Sequence, residues 1–152
     1  MPPGAVLERM DGFVMGVPGA RVTTVVLASL DPADGWLRFA CAGHPPPLLI
    51  PAEAPPELLW DARSRPLGTT TEVVPRPEAG IRLAPGDALL LYTDGVVERR
   101  RHPIDQGFAA LVAAVAGRGS RPPIDAVRDA LLGGEPHDDA CLLCLTLAGE
   151  GV

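Results

Sequence analysis

The chain has 152 residues, 47% hydrophobic and 21% charged, which suits one domain with a substantial core. Its formal net charge is −6, and all thirteen basic residues are arginine. That balance argues against nucleic acid or an anionic membrane as the main partner, and Arg99-Arg100-Arg101 reads as a solvated loop. No apolar run approaches a membrane span, and Met1-Pro2-Pro3-Gly4-Ala5 lacks the features of a signal peptide. Three cysteines make no disulfide framework, so a soluble, cytoplasmic protein is expected.

In chain order, Val6, Leu7, Met10, Phe13, Val14 and Val17 recur at helical spacing and predict an amphipathic helix over residues 4–15. Residues 22–30 are rich in β-branched side chains and read as a strand. The turn Asp31-Pro32-Ala33-Asp34-Gly35 then leads into a second strand over 36–42, with Leu37, Phe39 and Cys41 on one face. A stiff loop, Gly43-His44-Pro45-Pro46-Pro47, feeds a short strand at Leu48-Leu49. His44 reads first as a locally hydrogen-bonded loop residue and only second as a metal or catalytic group. Residues 51–66 form a proline-rich excursion containing a short strand around Leu58-Leu59-Trp60. Further strands are predicted at Glu72-Val73-Val74 and Ile81-Arg82-Leu83.

The turn Pro85-Gly86-Asp87 launches the apolar run Ala88-Leu89-Leu90-Leu91-Tyr92, which has no alternation and reads as a strand buried on both faces. It ends on Thr93-Asp94-Gly95, where one carboxylate meets solvent on a rigid support. After a charged loop to Asp105, Phe108, Leu111, Val112 and Val115 mark a helix ending at Gly117. A second helix is predicted from Ser120 as its cap, burying Ile124, Val127 and Leu131 and stopping at Gly133-Gly134. The acidic loop Glu135-Pro136-His137-Asp138-Asp139 runs straight into a terminal strand over 140–147. Cys141 and Cys144 lie on that strand; their spacing puts them on opposite faces, so core cysteines are expected rather than a zinc or redox pair. The pattern is one α+β domain over 1–152 with mostly antiparallel strands.

Asp94 ends one strand, and Asp138-Asp139 begins another. If those strands are antiparallel neighbours, the acids share one rim of the sheet. Carboxylates gathered at a rim repel one another unless a cation neutralises them, and hard ions such as Mg²⁺ or Mn²⁺ suit an all-oxygen site. The same residues also read as ordinary turn acids that never meet.

Five segments carry a family resemblance: Ala42-Gly43-His44-Pro45-Pro46-Pro47-Leu48, Pro66-Leu67-Gly68, Leu83-Ala84-Pro85-Gly86-Asp87, Leu91-Tyr92-Thr93-Asp94-Gly95-Val96-Val97-Glu98 and Asp138-Asp139-Ala140. In this order they resemble the SpoIIE/RsbU branch of the PPM-type phosphatases, bacterial relatives of protein phosphatase 2C. The resemblance implies an αββα sandwich of mostly antiparallel sheets with a two-metal site, holding Mn²⁺ or Mg²⁺, at one edge. It also implies hydrolysis of protein phosphoserine or phosphothreonine, with Asp94 and Asp138 catalytic through metal. Asp94 with Gly95 matches the Thr-Asp-Gly ligand motif, Asp138 the terminal ligand, and Asp139 the neighbouring position. The implied substrates are phosphoproteins such as antagonists of anti-sigma factors. The alternatives are a phosphoprotein-binding module without turnover and a hydrolase of small phosphate esters.

The family's first metal motif, a Gly-Asp-x-x-Gly segment supplying the bridging carboxylate, has no counterpart here. Asp11-Gly12 is the only earlier Asp-Gly pair, and it falls inside the predicted first helix, which makes Asp11 a poor bridging ligand. The N-terminal strands of the domain are therefore expected to be missing, leaving the C-terminal two-thirds. Such a truncation opens sheet edges to homodimerisation or strand exchange.

Overall fold

A computed structural model describes residues 1–72, 74–98, 102–133 and 139–148. The chain divides into two compact units, Met1–Pro46 with Trp60–Leu83, and Pro47–Leu59 with Ala84–Val152.

The first unit lays one helix on a sheet. α1 spans Pro3–Met15 and starts on proline, whose fixed φ and missing N–H suit a first turn. Gly4, Leu7, Asp11 and Val14 form its buried stripe, at the helical spacing of three and four. Phe13, expected on that stripe, is 74% exposed. β1 (Val25–Asp31) and β2 (Trp36–Ala42) form the predicted antiparallel hairpin, Val25 facing Ala42 and Asp31 facing Trp36. β2 is central: its other edge carries β5 (Arg63–Ser64) in parallel and β6 (Ala79–Arg82) antiparallel. Leu37, Phe39 and Cys41 are all buried, as their shared face requires. Leu7, Val14, Ala40, Ala42 and Leu67 make the core between α1 and this sheet.

Of the strand expected at Glu72-Val73-Val74, the described residues Glu72 and Val74 carry no strand pairing. Val73 lies outside the described residues, and the Glu72 N–H instead closes a local turn on the Thr70 hydroxyl. Sequence pattern also missed β5, whose two residues carry no periodicity to read.

The second unit is a sheet in the order β4-β3-β7-β8, antiparallel throughout. Its strands are β3 (Leu48–Ile50), β4 (Glu57–Leu58), β7 (Ala88–Tyr92) and β8 (Leu142–Thr146). One face packs on α2 (Ile104–Ala116) and α3 (Pro123–Leu131). Leu48, Ile50, Leu90 and Tyr92 meet Phe108, Leu111, Val115 and Val127 there. α3 is not capped by Ser120: Pro122 occupies the cap position without a side-chain bond, and Pro123 opens the helix. β7 is buried along nearly all its length, as its unbroken apolar run predicts.

β8 corrects the expectation of core cysteines. It is the last strand of its sheet, so only part of it is covered: Leu143 is 59% exposed and Leu145 39%. Cys141 is exposed and Cys144 half-buried. The thiol in a true core is Cys41, which burial pushes up to about 11, while burial also raises Cys144.

Candidate metal centre

The rim is built by the β7–β8 pair. Its register runs from Ala88 opposite Thr146 to Tyr92 opposite Leu142. One residue further, the Thr93 N–H donates to the Cys141 carbonyl at 3.1 Å. Asp94 therefore leaves β7 at the point where Asp139 and Ala140 enter β8. The two strands are antiparallel neighbours, which is the condition under which carboxylates at their opposite ends share a rim. Asp94 and Asp139 are both exposed there. Asp138 lies outside the described residues.

Asp94 opens a single 3₁₀ turn, Asp94–Val96, which bends the chain off the strand. Its carboxylate accepts the Gly95 N–H at 3.0 Å, and its carbonyl accepts the N–H groups of Val97 at 2.9 Å and Glu98 at 2.7 Å. The backbone behind the carboxylate is thus held by hydrogen bonds while the side chain faces water. Gly95 is needed for a separate reason. A Cβ at that position would overlap the Asp139 carbonyl, so only glycine lets the two acid-bearing segments approach so closely.

Three of the other segments that carried the resemblance prove to be structural. Asp87 uses both carboxylate oxygens on backbone, accepting Ala52 N–H at 2.9 Å and Ala84 N–H at 2.8 Å. Gly86 beside it has φ +90°, and its N–H reaches the Leu147 carbonyl at 2.8 Å. This clamp anchors β7 at the end away from Asp94. Gly43 has φ +66° and packs against Pro66 so tightly that a Cβ would overlap that ring. His44 holds its Nδ1 2.9 Å from the Pro45 carbonyl, a bond to its own loop.

Gly68 belongs to the remaining fixture, which also settles Asp11. The Gly68 N–H donates to Asp11 Oδ1 at 2.8 Å, and Arg76 donates Nε and Nη2 to Oδ2 at 3.1 and 2.5 Å. Arg76 also bonds the Ser64 hydroxyl at 2.8 Å and the Arg65 carbonyl at 2.5 Å. Burial alone raises the Asp11 pKa, but the Gly68 N–H and the Arg76 bonds and charge outweigh it and hold the carboxyl below its usual range. Both oxygens are engaged, so Asp11 is a structural ion and not a bridging ligand. The sequence signal for its partner was absent, since Arg76 is 65 residues away.

The donor chemistry at the rim is that of a hard divalent cation, carboxylate oxygens with room for water. Among the described residues no group of three or more His, Cys, Asp or Glu side chains converges. Asp94 and Asp139 are the two described carboxylates at the rim, donors of the kind such an ion takes with water completing its shell; among the described residues they do not make up a two-ion set.

The RsbU and RsbW domains of a Mycobacterium tuberculosis protein match over 94% of this chain and 42% of that one, at 33% identity and a TM-score of 0.82. The phosphatase domain of the cell fate determinant SpoIIE from Bacillus subtilis matches over 100% of this chain and 70% of that one, at 14% identity and a TM-score of 0.66. The SiaA PP2C domain of Pseudomonas aeruginosa matches over 95% and 61%, at 21% identity and a TM-score of 0.68. The fold is that of PP2C-like, PPM-type phosphatase domains, a mixed α+β fold with mostly antiparallel sheets. Residues 1–148 match the family model described as Stage II sporulation protein E (SpoIIE), and the chain belongs to that family, in its SpoIIE/RsbU branch.

Proposed function

We propose that this chain is the C-terminal part of a metal-dependent phosphatase acting on phosphoserine or phosphothreonine in regulatory proteins. The observation that carries the reading is the meeting of Thr93-Asp94-Gly95 with Asp139 at one end of the β7–β8 pair. Asp94 and Asp139 would hold the ion, together with Asp138, which lies outside the described residues; Gly95 lets the two described segments close. A bound Mn²⁺ or Mg²⁺ supplies Lewis-acid chemistry, offsetting charge on the phosphoryl oxygens and making a nucleophile of water at neutral pH. The chain's own task is to bind and orient, which needs no serine or cysteine nucleophile.

The substrate class is proposed from kinship. The similar Mycobacterium tuberculosis structure carries RsbU and RsbW domains in one protein, and the family resemblance implies antagonists of anti-sigma factors as substrates. A cytoplasmic location accords with that role; among the described residues no helix is long and apolar enough to cross a membrane.

A second reading has one observation in its favour. The described residues bring together fewer than three ligands, and the earlier Asp-Gly pair is consumed in the Asp11–Arg76 ion pair. A module that binds a phosphoprotein without turnover fits that shortage.

Phosphate release from a phosphoserine peptide, with Mn²⁺ and with a chelator, separates these readings. Release that depends on Mn²⁺ supports the phosphatase. Peptide binding without release selects the binding module. Hydrolysis of p-nitrophenyl phosphate with no action on the peptide selects a small-ester hydrolase.

A further inference from the structure

We infer that Thr93 is the positioning residue of the rim: its hydroxyl replaces a backbone carbonyl so that one strand can bend while its neighbour stays pinned. The inference rests on the metal-centre reading above. In a regular antiparallel ladder alternate facing pairs exchange both N–H···O=C bonds, and the register puts Thr93 and Cys141 at such a position. At Thr93 and Cys141 only the first is of that kind, from Thr93 N–H to the Cys141 carbonyl. The return bond from the Cys141 N–H goes to Thr93 Oγ1 at 2.9 Å.

This leaves the Thr93 carbonyl for another partner. It accepts the Val96 N–H at 3.1 Å, closing the turn that carries Asp94. One residue thus serves two structures. Its carbonyl turns β7 into the Asp94–Val96 turn, and its hydroxyl keeps β8 in register. The hydroxyl also lies 3.4 Å from the Asp139 carbonyl, a long contact that adds little energy but shows how near the two segments run.

The chemistry makes the hydroxyl the decisive group. Valine matches threonine in shape but offers no acceptor, so the Cys141 N–H must turn to water or pull the Thr93 carbonyl back into the ladder. The second course unwinds the turn and moves Asp94 away from Asp139. The first frees the β8 end. Either loosens the separation of the two acids, while serine keeps the acceptor and leaves it intact.

The test is solution NMR on the 152-residue chain with Mn²⁺ as the probe. It follows paramagnetic broadening of the Gly95 and Asp139 amides and hydrogen exchange at the Cys141 amide. Thr93→Val should weaken Mn²⁺ binding by about 10–100-fold, the usual effect of losing a group that orients a ligand, and should speed Cys141 exchange. Thr93→Ser should keep both near the parent values. Thr93→Ala removes the acceptor without β-branching and should behave as valine does, which covers a valine variant that folds poorly. Parent-like Mn²⁺ affinity and Cys141 protection in the valine and alanine variants overturn the positioning role alone. No broadening in the parent chain overturns the metal-centre reading, and this inference with it.

Discussion

Replacing Asp11 by alanine is expected to destabilise the first unit by about 3–5 kcal/mol, the range found when one partner of a buried ion pair is removed. The size follows from what is left behind. The Arg76 side chain is 2% exposed and that of Asp11 11%, so solvent cannot take over from the lost partner. The guanidinium would stay buried among the Ser64 hydroxyl and the Arg65 carbonyl, which bond it but carry no net charge. Gly68 would lose the acceptor of its N–H as well. Asp11→Asn tests the charge separately, since its amide oxygen can still accept from Gly68. Both tryptophans, Trp36 and Trp60, lie in the first unit, so urea unfolding followed by their fluorescence reports on the part that contains the pair.

The pH dependence has a definite sign. The folded-state pKa of Asp11 is lowered, so the unfolded chain binds its proton first on acidification. The stabilisation is complete above the ordinary aspartate value of about 4 and is lost as pH falls through the folded value. Parent protein should therefore lose stability with acid more steeply than Asp11→Ala. A loss under about 1 kcal/mol at neutral pH, as at an exposed pair, would contradict the structural role.

Asp94→Asn should have the opposite profile, with the fold kept and the chemistry lost. Asp94 is exposed, and the bond its side chain makes within the turn, from Gly95 N–H, can be kept by the asparagine oxygen. Unfolding should shift by no more than the roughly 0.5 kcal/mol usual for surface changes. The charge, however, is what draws a hard cation to the rim. Mn²⁺-dependent phosphate release should drop by at least about 100-fold, beyond what loss of an orienting group usually costs. Activity that survives the substitution unchanged removes Asp94 from the site.

The pairing that makes the rim was more legible in the sequence than its supports were. An unbroken apolar run ending on Asp94, and acids leading into a last strand, place two carboxylates at one rim as soon as the strands pair, and β7 and β8 do pair. Pairing also accounts for Gly95, once Asp139 is seen against its Cα. What local pattern could not supply was anything decided by a distant partner. Asp11 sits on the apolar stripe of α1 because Arg76, far along the chain, neutralises it. Phe13 fits the helical period yet faces outward, because α1 has core on one side only. Cys141 reads as core by composition, but β8 closes its sheet and Cys141 lies beyond the strand's first residue. Thr93 was visible as part of a motif, while its exchange of a carbonyl for a hydroxyl shows only in the hydrogen bonds.

In the proposed reading Asp94 and Asp139 hold a divalent cation at the β7–β8 rim, with Asp138 as a further ligand. The most direct measurement is anomalous diffraction from crystals of the chain grown with Mn²⁺. A manganese peak at coordination distance, about 2.0–2.2 Å for a small hard cation, from an Asp94 carboxylate oxygen and from Asp138 or Asp139 is the predicted result. Manganese found only elsewhere, or none at the rim under saturating metal, would contradict it.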